Sequence, residues 1–151
     1  MLEQRNARNQ CAEAQAVDLD CEKAVYTRPV RREDVSDWLE RYVAAWKSGE
    51  RGEIEALFGD DARYRYHPSD EPIVGQAAIA DSWLADPDEP GTFDASYQCF
   101  AADGDAAVAI GTSTYFNAGG QVDRVYDNVF VLRFEPSGRC SEFTEWYAKR
   151  P

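Results

Sequence analysis

Apolar residues recur at three- and four-residue steps along residues 33–48, a spacing that predicts an amphipathic helix with one buried face. The residues on that face are Val35, Trp38, Leu39, Tyr42, Val43 and Trp46. Glu33 and Asp34 fall in the first turn, where negative charge favours the positive end of the helix dipole. Gly49 supplies a stop, so the first helix is expected to end at Ser48.

Two shorter helices follow in the pattern. A brief second helix is marked by Ile54, Leu57 and Phe58. A third helix is predicted within residues 75–84, because Ile79 and Trp83 are four residues apart and therefore share one helical face.

The remaining segments have the alternation that is typical of strands. The first strand is the aromatic-rich segment ARYRYHP, which stops at Pro68. Longer strands are predicted at residues 92–101, 106–116, 122–134 and 139–147. Clusters of turn-forming residues separate these strands, at residues 103–105, 118–120 and 136–138. An antiparallel meander is therefore expected.

This order of elements predicts an α+β fold, with helices on one face of a curved antiparallel sheet. The first helix would cover the concave side, and a pocket would lie between helix and sheet. The length of 151 residues favours one domain. Residues 1–30 are polar and lack clear periodicity, so they are predicted to be a flexible or loosely docked extension of a folded domain at residues 31–151.

The charge of the chain argues against two classes of partner. A formal net charge of -12 repels phosphate backbones and anionic lipid surfaces, so neither nucleic acid nor a membrane is an expected partner. No apolar run approaches the roughly 20 residues that cross a bilayer. The amino-terminal segment lacks the apolar core of a secretory signal, and a cytoplasmic location is therefore expected.

The cysteines and the single histidine favour neither a metal site nor a disulfide framework. Cys11, Cys21, Cys99 and Cys140 include no CxxC pair, and His67 has no cysteine near it in the sequence. Reduced thiols are expected in the cytoplasm, with a link between Cys11 and Cys21 left open. No metal and no cofactor are predicted.

The last predicted hairpin can be paired residue by residue. With Pro136-Ser137 as its loop, Glu135 lies opposite Gly138, and pairing continues outward from there. One face then carries the pairs Asn128 with Glu145, Phe130 with Phe143, Tyr126 with Tyr147, and Leu132 with Ser141. This face is the more apolar one and is expected to point inward. The other face carries Val129, Val131, Arg133, Cys140, Glu142, Thr144 and Trp146.

Glu145 is the first candidate catalytic residue. A carboxylate inside an aromatic cone loses hydration, and desolvation raises its pKa toward the range of a general base or acid. Asn128 would hold that carboxylate or polarise a substrate carbonyl. The alternative is a structural role, in which Glu145 accepts hydrogen bonds from Asn128 or Tyr126.

His67 is a second candidate acid or base, because the unperturbed pKa of histidine lies near neutrality. It closes the first strand, whose end should border the mouth of the pocket. The parity of this strand is left open, since either Tyr64 and Tyr66 or Arg65 and His67 point inward. An ordinary loop position is the alternative for His67.

Aromatic residues are expected to line the pocket and to suit a flat or polycyclic apolar ligand. From the helices and the first strand these are Trp38, Tyr42, Tyr64, Tyr66 and Trp83. The later strands would add Thr112, Tyr126, Phe130 and Phe143. Packing in the core explains the aromatic residues equally well.

Several segments resemble the SnoaL-like branch of the nuclear transport factor 2-like superfamily. They are WLERYVAAWKSGE, IEALFGDDARY, PIVGQAAIADSW, GDAAVAIGTSTYF and YDNVFVLRFEPSGRCSEFTEWY, in the family's order and within about residues 33–148. The resemblance implies a cone-shaped α+β barrel, in which a curved antiparallel sheet wraps around three amino-terminal helices. It also implies a range of activities, since the superfamily includes polyketide cyclases, ketosteroid isomerases, dehydratases, epoxide hydrolases and proteins that only bind ligands.

Within that superfamily, the epoxide-hydrolase pattern has an acid on the final strand, where this chain has Glu145. The arginine and aspartate of its third strand match Thr112 and Thr114, so epoxide opening is not predicted. The first hypothesis is a small-molecule pocket protein that acts as a cofactorless lyase, isomerase or cyclase and moves a proton on an apolar carbonyl-containing metabolite. The alternative is a non-catalytic protein that binds a small ligand or serves as a dimeric accessory subunit. Val129, Val131 and Trp146 on the outer face predict a homodimer.

Overall fold

The computed structural model describes residues 28–151. Most of the extension predicted for residues 1–30, together with Cys11 and Cys21, lies outside the described residues. None of the helices within residues 28–151 is long and apolar enough to cross a membrane.

Three helices and six strands make up the described part of the chain. They are α1 (Arg32–Ser48), α2 (Arg51–Glu55), β1 (Phe58–Arg65), β2 (Ile73–Val74), α3 (Gln76–Ala85), β3 (Phe93–Asp103), β4 (Ala106–Phe116), β5 (Val122–Phe134) and β6 (Cys140–Lys149). The predicted α+β fold is confirmed. Two details were wrong. Phe58 is the first residue of β1 and does not belong to the second helix, and the short strand β2 was not predicted.

Helix α1 forms where the apolar spacing predicts it. Its buried face includes Trp38, Leu39 and Tyr42. The Asp34 carboxylate accepts a hydrogen bond from the Arg31 N–H (3.0 Å) and closes the first turn. Gly49 ends the helix with a φ of 65°, a left-handed conformation that glycine adopts without strain.

The strands form one mixed sheet in the order β2-β1-β6-β5-β4-β3. Strands β3 to β6 make the predicted antiparallel meander. The expectation of a wholly antiparallel sheet is corrected at β1, which pairs with β6 in parallel, with Tyr64 opposite Phe143. A parallel pair needs a long connection, and the chain from β2 to β5 supplies it.

The pairing of β5 with β6 differs from the predicted register. The loop between them is longer, since the Glu135 N–H bonds the Arg139 carbonyl (2.8 Å), and Ser141 bulges between the paired residues Cys140 and Glu142. Phe130 therefore lies opposite Glu145, and Asn128 lies opposite Tyr147.

A shift of two residues keeps every side chain beyond the bulge on its predicted face, because strand side chains alternate with a period of two. On the loop side of the bulge, the side chain at position 140 points to the face opposite to the predicted one. Cys140, which was expected on the outer face, is completely buried. Cys99 is also buried, and both are free thiols.

The core is an aromatic cluster between α1 and the concave face of the sheet. Phe143 stacks between Tyr64 (ring centroids 4.5 Å apart) and Tyr42 (5.6 Å), and it also contacts Phe130 (4.8 Å). Trp38 is fully buried and donates its indole N–H to the Leu57 carbonyl (2.9 Å). This cluster joins α1, β1, β5 and β6.

Gly111 makes room for one of these rings. It lies opposite Tyr97 in the β3–β4 pair, and a Cβ at this position would overlap the Ser96 carbonyl oxygen and the Tyr97 side chain. The Tyr97 ring can therefore lie close to β4 and pack on Phe130 of the next strand, β5, with the ring centroids 4.5 Å apart.

We predict that Gly111→Ala destabilises the protein by about 2 kcal/mol, because the added methyl group meets backbone that cannot move aside without distorting the sheet. Urea unfolding followed by circular dichroism measures this difference. Gly52→Ala is the control, since nothing lies within 4 Å of its Cβ position in helix α2. The control should be neutral or slightly stabilising. Equal stability of the two variants would contradict the packing role of Gly111.

Candidate active site

A cavity of about 330 Å³ opens between α1, α3 and the concave face of the sheet. Its walls are mainly aromatic: Tyr42, Trp46, Tyr64, Tyr66, Trp83, Tyr97, Tyr115, Tyr126 and Tyr147. Polar lining residues include Glu145, Asn128 and Ser113.

The carboxyl group of Glu145 is positioned by the alternation of β6. Phe143 is fully buried in the core, so Glu145, two residues later, points to the same face. Its Oε1 atom accepts a hydrogen bond of 2.6 Å from Asn128 Nδ2. Asn128 Oδ1 in turn accepts one of 3.1 Å from Ser113 Oγ. The three residues lie on the adjacent strands β4, β5 and β6.

Burial governs the ionisation of Glu145. Loss of hydration raises its pKa from the ordinary 4.5 to about 7, although the hydrogen bond from Asn128 favours the ionised form and opposes this shift. Burial likewise raises the pKa of Tyr42 and of Tyr64 well above 10, and that of Tyr115 to about 12. The cavity thus holds a carboxyl group that titrates near neutrality beside phenols that stay protonated.

Arg124 is the basic residue in the cavity wall. Its guanidinium group lies over the Tyr115 ring, 4.2 Å from the centroid, and forms an ion pair with Asp123 (2.7 Å). Near the same rim, Trp46 donates its indole N–H to Asp88 (3.0 Å). These contacts fix the mouth of the cavity.

The parity of β1 is resolved in favour of the tyrosines. Tyr64 is buried, and Tyr66 lines the cavity and is hydrogen-bonded to Ser82 (2.9 Å). His67 is exposed and does not line the cavity. Its Nε2 atom lies 3.3 Å from the hydroxyl of Tyr147, so it contacts the mouth from outside.

Apart from His67, the predicted site residues divide into three groups by location. Those that line the cavity are Tyr42, Tyr64, Tyr66, Trp83, Tyr126, Asn128 and Glu145. Trp38, Phe130 and Phe143 belong to the buried core and do not reach the cavity wall. Thr112 lies on the outer face of the sheet, where its neighbour in β5 is the exposed Asp127.

The sequence reasoning missed Ser113, which takes the inward place expected of Thr112. A hairpin centred on residues 118–120 with regular pairing would put Thr112 opposite Tyr126. In the structure Asp123 is an extra residue of β5, so Ser113 pairs with Tyr126 instead. A bulge of this kind leaves no clear signal in a single sequence.

Other lining residues were also missed as site residues, among them Trp46, Tyr97, Tyr115 and Arg124. The alternation of β3 and β4 could have identified Tyr97 and Tyr115, because each follows the inward phase of its strand. Trp83 has an unusual feature, since its buried indole N–H has no hydrogen-bond partner among residues 28–151. A small movement of the Trp83 side chain would make this donor available to a ligand or to water.

The buried carboxyl group should make stability depend on pH. A folded-state pKa above the unfolded value means that this group disfavours folding once it is ionised, so its cost is absent below about pH 4.5 and complete above about pH 7. We predict that Glu145→Gln is more stable than the wild type by about 2–3 kcal/mol above pH 8 and equally stable near pH 4.5.

Chemical denaturation across this pH range measures the difference. Glu142→Gln, which removes an exposed carboxylate on the outer face of the same strand, controls for the loss of one negative charge. A stability difference for Glu145→Gln that does not grow with pH would refute the burial of the charge.

Comparison with known proteins places this geometry in a family. The SnoaL-like domain model matches residues 39–143, more than half of the chain. No curated protein matches the chain significantly.

Solved structures share the fold at low sequence identity. A nuclear transport factor 2-like protein of unknown function from Burkholderia xenovorans is 19% identical, with a TM-score of 0.59 over 78% of this chain and 85% of that one. A proposed ketosteroid isomerase from Kribbella flavida is 21% identical, with a TM-score of 0.59 over 80% of this chain and 82% of that one. These structures show a shared fold, and the match of the family model over most of the chain leads to one conclusion: the chain belongs to the SnoaL-like family.

Proposed function

We propose that the protein is a cofactorless enzyme of the lyase, isomerase or cyclase type, in which Glu145 transfers a proton next to a carbonyl group of an apolar metabolite. The observation that carries the proposal is a carboxyl group with a pKa of about 7 in the wall of an aromatic cavity. A general base works best when its pKa lies near the working pH. The similarity in fold to a proposed ketosteroid isomerase is consistent with this chemistry.

The proton-transfer step uses groups already in the cavity. The Glu145 carboxylate takes a proton from the carbon next to the carbonyl, the C–H electron pair forms a C=C bond, and the carbonyl oxygen becomes an enolate. Tyrosine hydroxyls whose pKa is raised by burial remain protonated, so they serve as donors to that oxygen. The protonated Glu145 then returns the proton to the same carbon or another one.

The size and lining of the cavity favour a small, flat ligand. The cavity volume of about 330 Å³ lies near the lower end of the range of about 300–1,000 Å³ for small-molecule sites. Aromatic walls favour apolar or aromatic ligands. A protein that binds such a ligand without turning it over would have the same lining, and the test must separate the two.

We predict that the wild type exchanges the α-protons of α-tetralone or estrone for deuterium at least about 100-fold faster than Glu145→Gln does. The rate should rise with pH and level off above about pH 7, because the base acts in its ionised form. NMR in deuterated buffer measures the exchange.

Asp86→Asn is the matched control, since it neutralises another acid that lines the same cavity and should leave most of the rate. Equal exchange by the wild type and Glu145→Gln, together with equal affinity for the ketones, would favour the non-catalytic binding protein over the enzyme.

We further propose that the protein forms a homodimer through the outer face of β4, β5 and β6. Val129 and Trp146 are cross-strand neighbours on this face and are 38% and 43% exposed. Val131, 41% exposed, continues the patch beside Val108 of β4. Contiguous exposed apolar residues on a sheet face are typical of interaction surfaces.

Light scattering coupled to size exclusion at micromolar concentration should give twice the mass of the chain. Trp146→Lys should give the monomer mass, because a charge in the centre of the patch opposes its burial. Val122→Lys is the control, since Val122 is exposed outside the patch at the start of β5. A monomeric wild type would refute the dimer.

A further inference from the structure

Two polar side chains stand out among the otherwise apolar core. Ser113 and Asn128 are 4% and 5% exposed; tyrosine, tryptophan and cysteine aside, no other polar or charged residue within residues 28–151 is buried so completely. A buried polar group is costly unless it is hydrogen-bonded, so a pair of them in a core needs an explanation.

Their hydrogen bonds form a chain that ends at Glu145. Ser113 Oγ donates to Asn128 Oδ1, and Asn128 Nδ2 donates to Glu145 Oε1. The chain crosses β4, β5 and β6 obliquely, because the residues paired with Asn128 are Gly111 and Tyr147, each two residues away from Ser113 and Glu145. Both amide heavy atoms of Asn128 are therefore engaged, and its NH₂ group faces the carboxyl group.

We propose that Ser113 is a positioning residue, which acts on Glu145 through Asn128 by orienting and polarising the amide that donates to the carboxylate. This role rests on the proposed function of Glu145, but its effect on the carboxyl group does not require turnover. Nothing in the reaction requires Ser113 to touch the substrate.

The direction of the effect follows from the charge of Glu145. A hydroxyl that donates to Asn128 Oδ1 points its positive end along the chain toward the carboxylate. Hydrogen bonds to a charged group are stronger than those between neutral groups, and neighbouring bonds in a chain strengthen one another. Ser113 therefore stabilises the ionised form of Glu145 more than the protonated form.

Other groups around the carboxyl group remain in place when Ser113 is changed. They are Tyr42 on α1, Tyr64 on β1, Tyr66 directly after β1, Asp86 and Asp88 after α3, Tyr97 on β3, Tyr115 on β4, Arg124 and Tyr126 on β5, and Tyr147 on β6. Their contribution is common to the wild type and to each variant, so a difference between Ser113 variants reports on the hydrogen-bond chain.

The test compares Ser113→Thr with Ser113→Val, two side chains of the same shape that differ in the hydroxyl group. The protein is labelled with glutamate carrying ¹³C at the side-chain carboxyl, and the Glu145 resonance is assigned by its loss in Glu145→Gln. We expect the titration midpoint of Ser113→Thr to match the wild type and that of Ser113→Val to rise by about half to one pH unit.

Thr114→Ala is the control on the same strand, because Thr114 does not line the cavity and its neighbours point to the outer face. Its midpoint should stay that of the wild type. Where ketone exchange is observed, Ser113→Val should lower kcat several-fold with KM unchanged and move the pH profile by the same amount as the midpoint. An equal midpoint for the Thr and Val variants would overturn the role of Ser113, whether or not the protein is an enzyme. A shifted midpoint without exchange would support it and count against the enzymatic proposal alone.

Discussion

The stacking of Phe143 between Tyr42 and Tyr64 holds the cavity together. It joins the first helix to the first and last strands, which are far apart in the chain. Because the side chains of a strand alternate, the burial of Phe143 also fixes the direction of Glu145. The same packing that builds the core therefore turns a carboxyl group toward the cavity.

This placement sets stability against reactivity. A carboxylate that loses hydration is destabilising, and a single hydrogen bond from Asn128 offsets only part of that effect, as the raised pKa of Glu145 shows. Proteins tolerate such groups where the altered ionisation is useful. The packing of the aromatic cluster offsets this loss of stability. The neighbouring tyrosine hydroxyls stay neutral, so the charged groups of the cavity wall are its acids and Arg124.

Most of the fold could be predicted from the sequence because periodicity reports directly on burial. The bounds of β4 and β5 follow from the turn-forming residues that flank them, and the inward face of Glu145 follows from the alternation of apolar residues in the last hairpin. Side-chain partners depend on the register of the strands, and two bulges changed that register. The bulge at Ser141 turns Cys140 into the core, and the extra residue Asp123 puts Ser113, and not Thr112, opposite Tyr126. The parallel pairing of β1 with β6 joins segments distant in sequence, so no local pattern encodes it.

Burial of Glu145 in the cavity wall requires its carboxyl group to be protonated at mildly acidic pH while the protein stays folded. Infrared difference spectroscopy of the wild type minus Glu145→Gln measures this directly through the carbonyl stretch of a protonated carboxylic acid. This band should be present at about pH 5.5 and gone at about pH 8.5, since the pKa lies near 7. A spectrum at about pH 5.5 that shows only the carboxylate bands of Glu145 would contradict the burial of this carboxyl group.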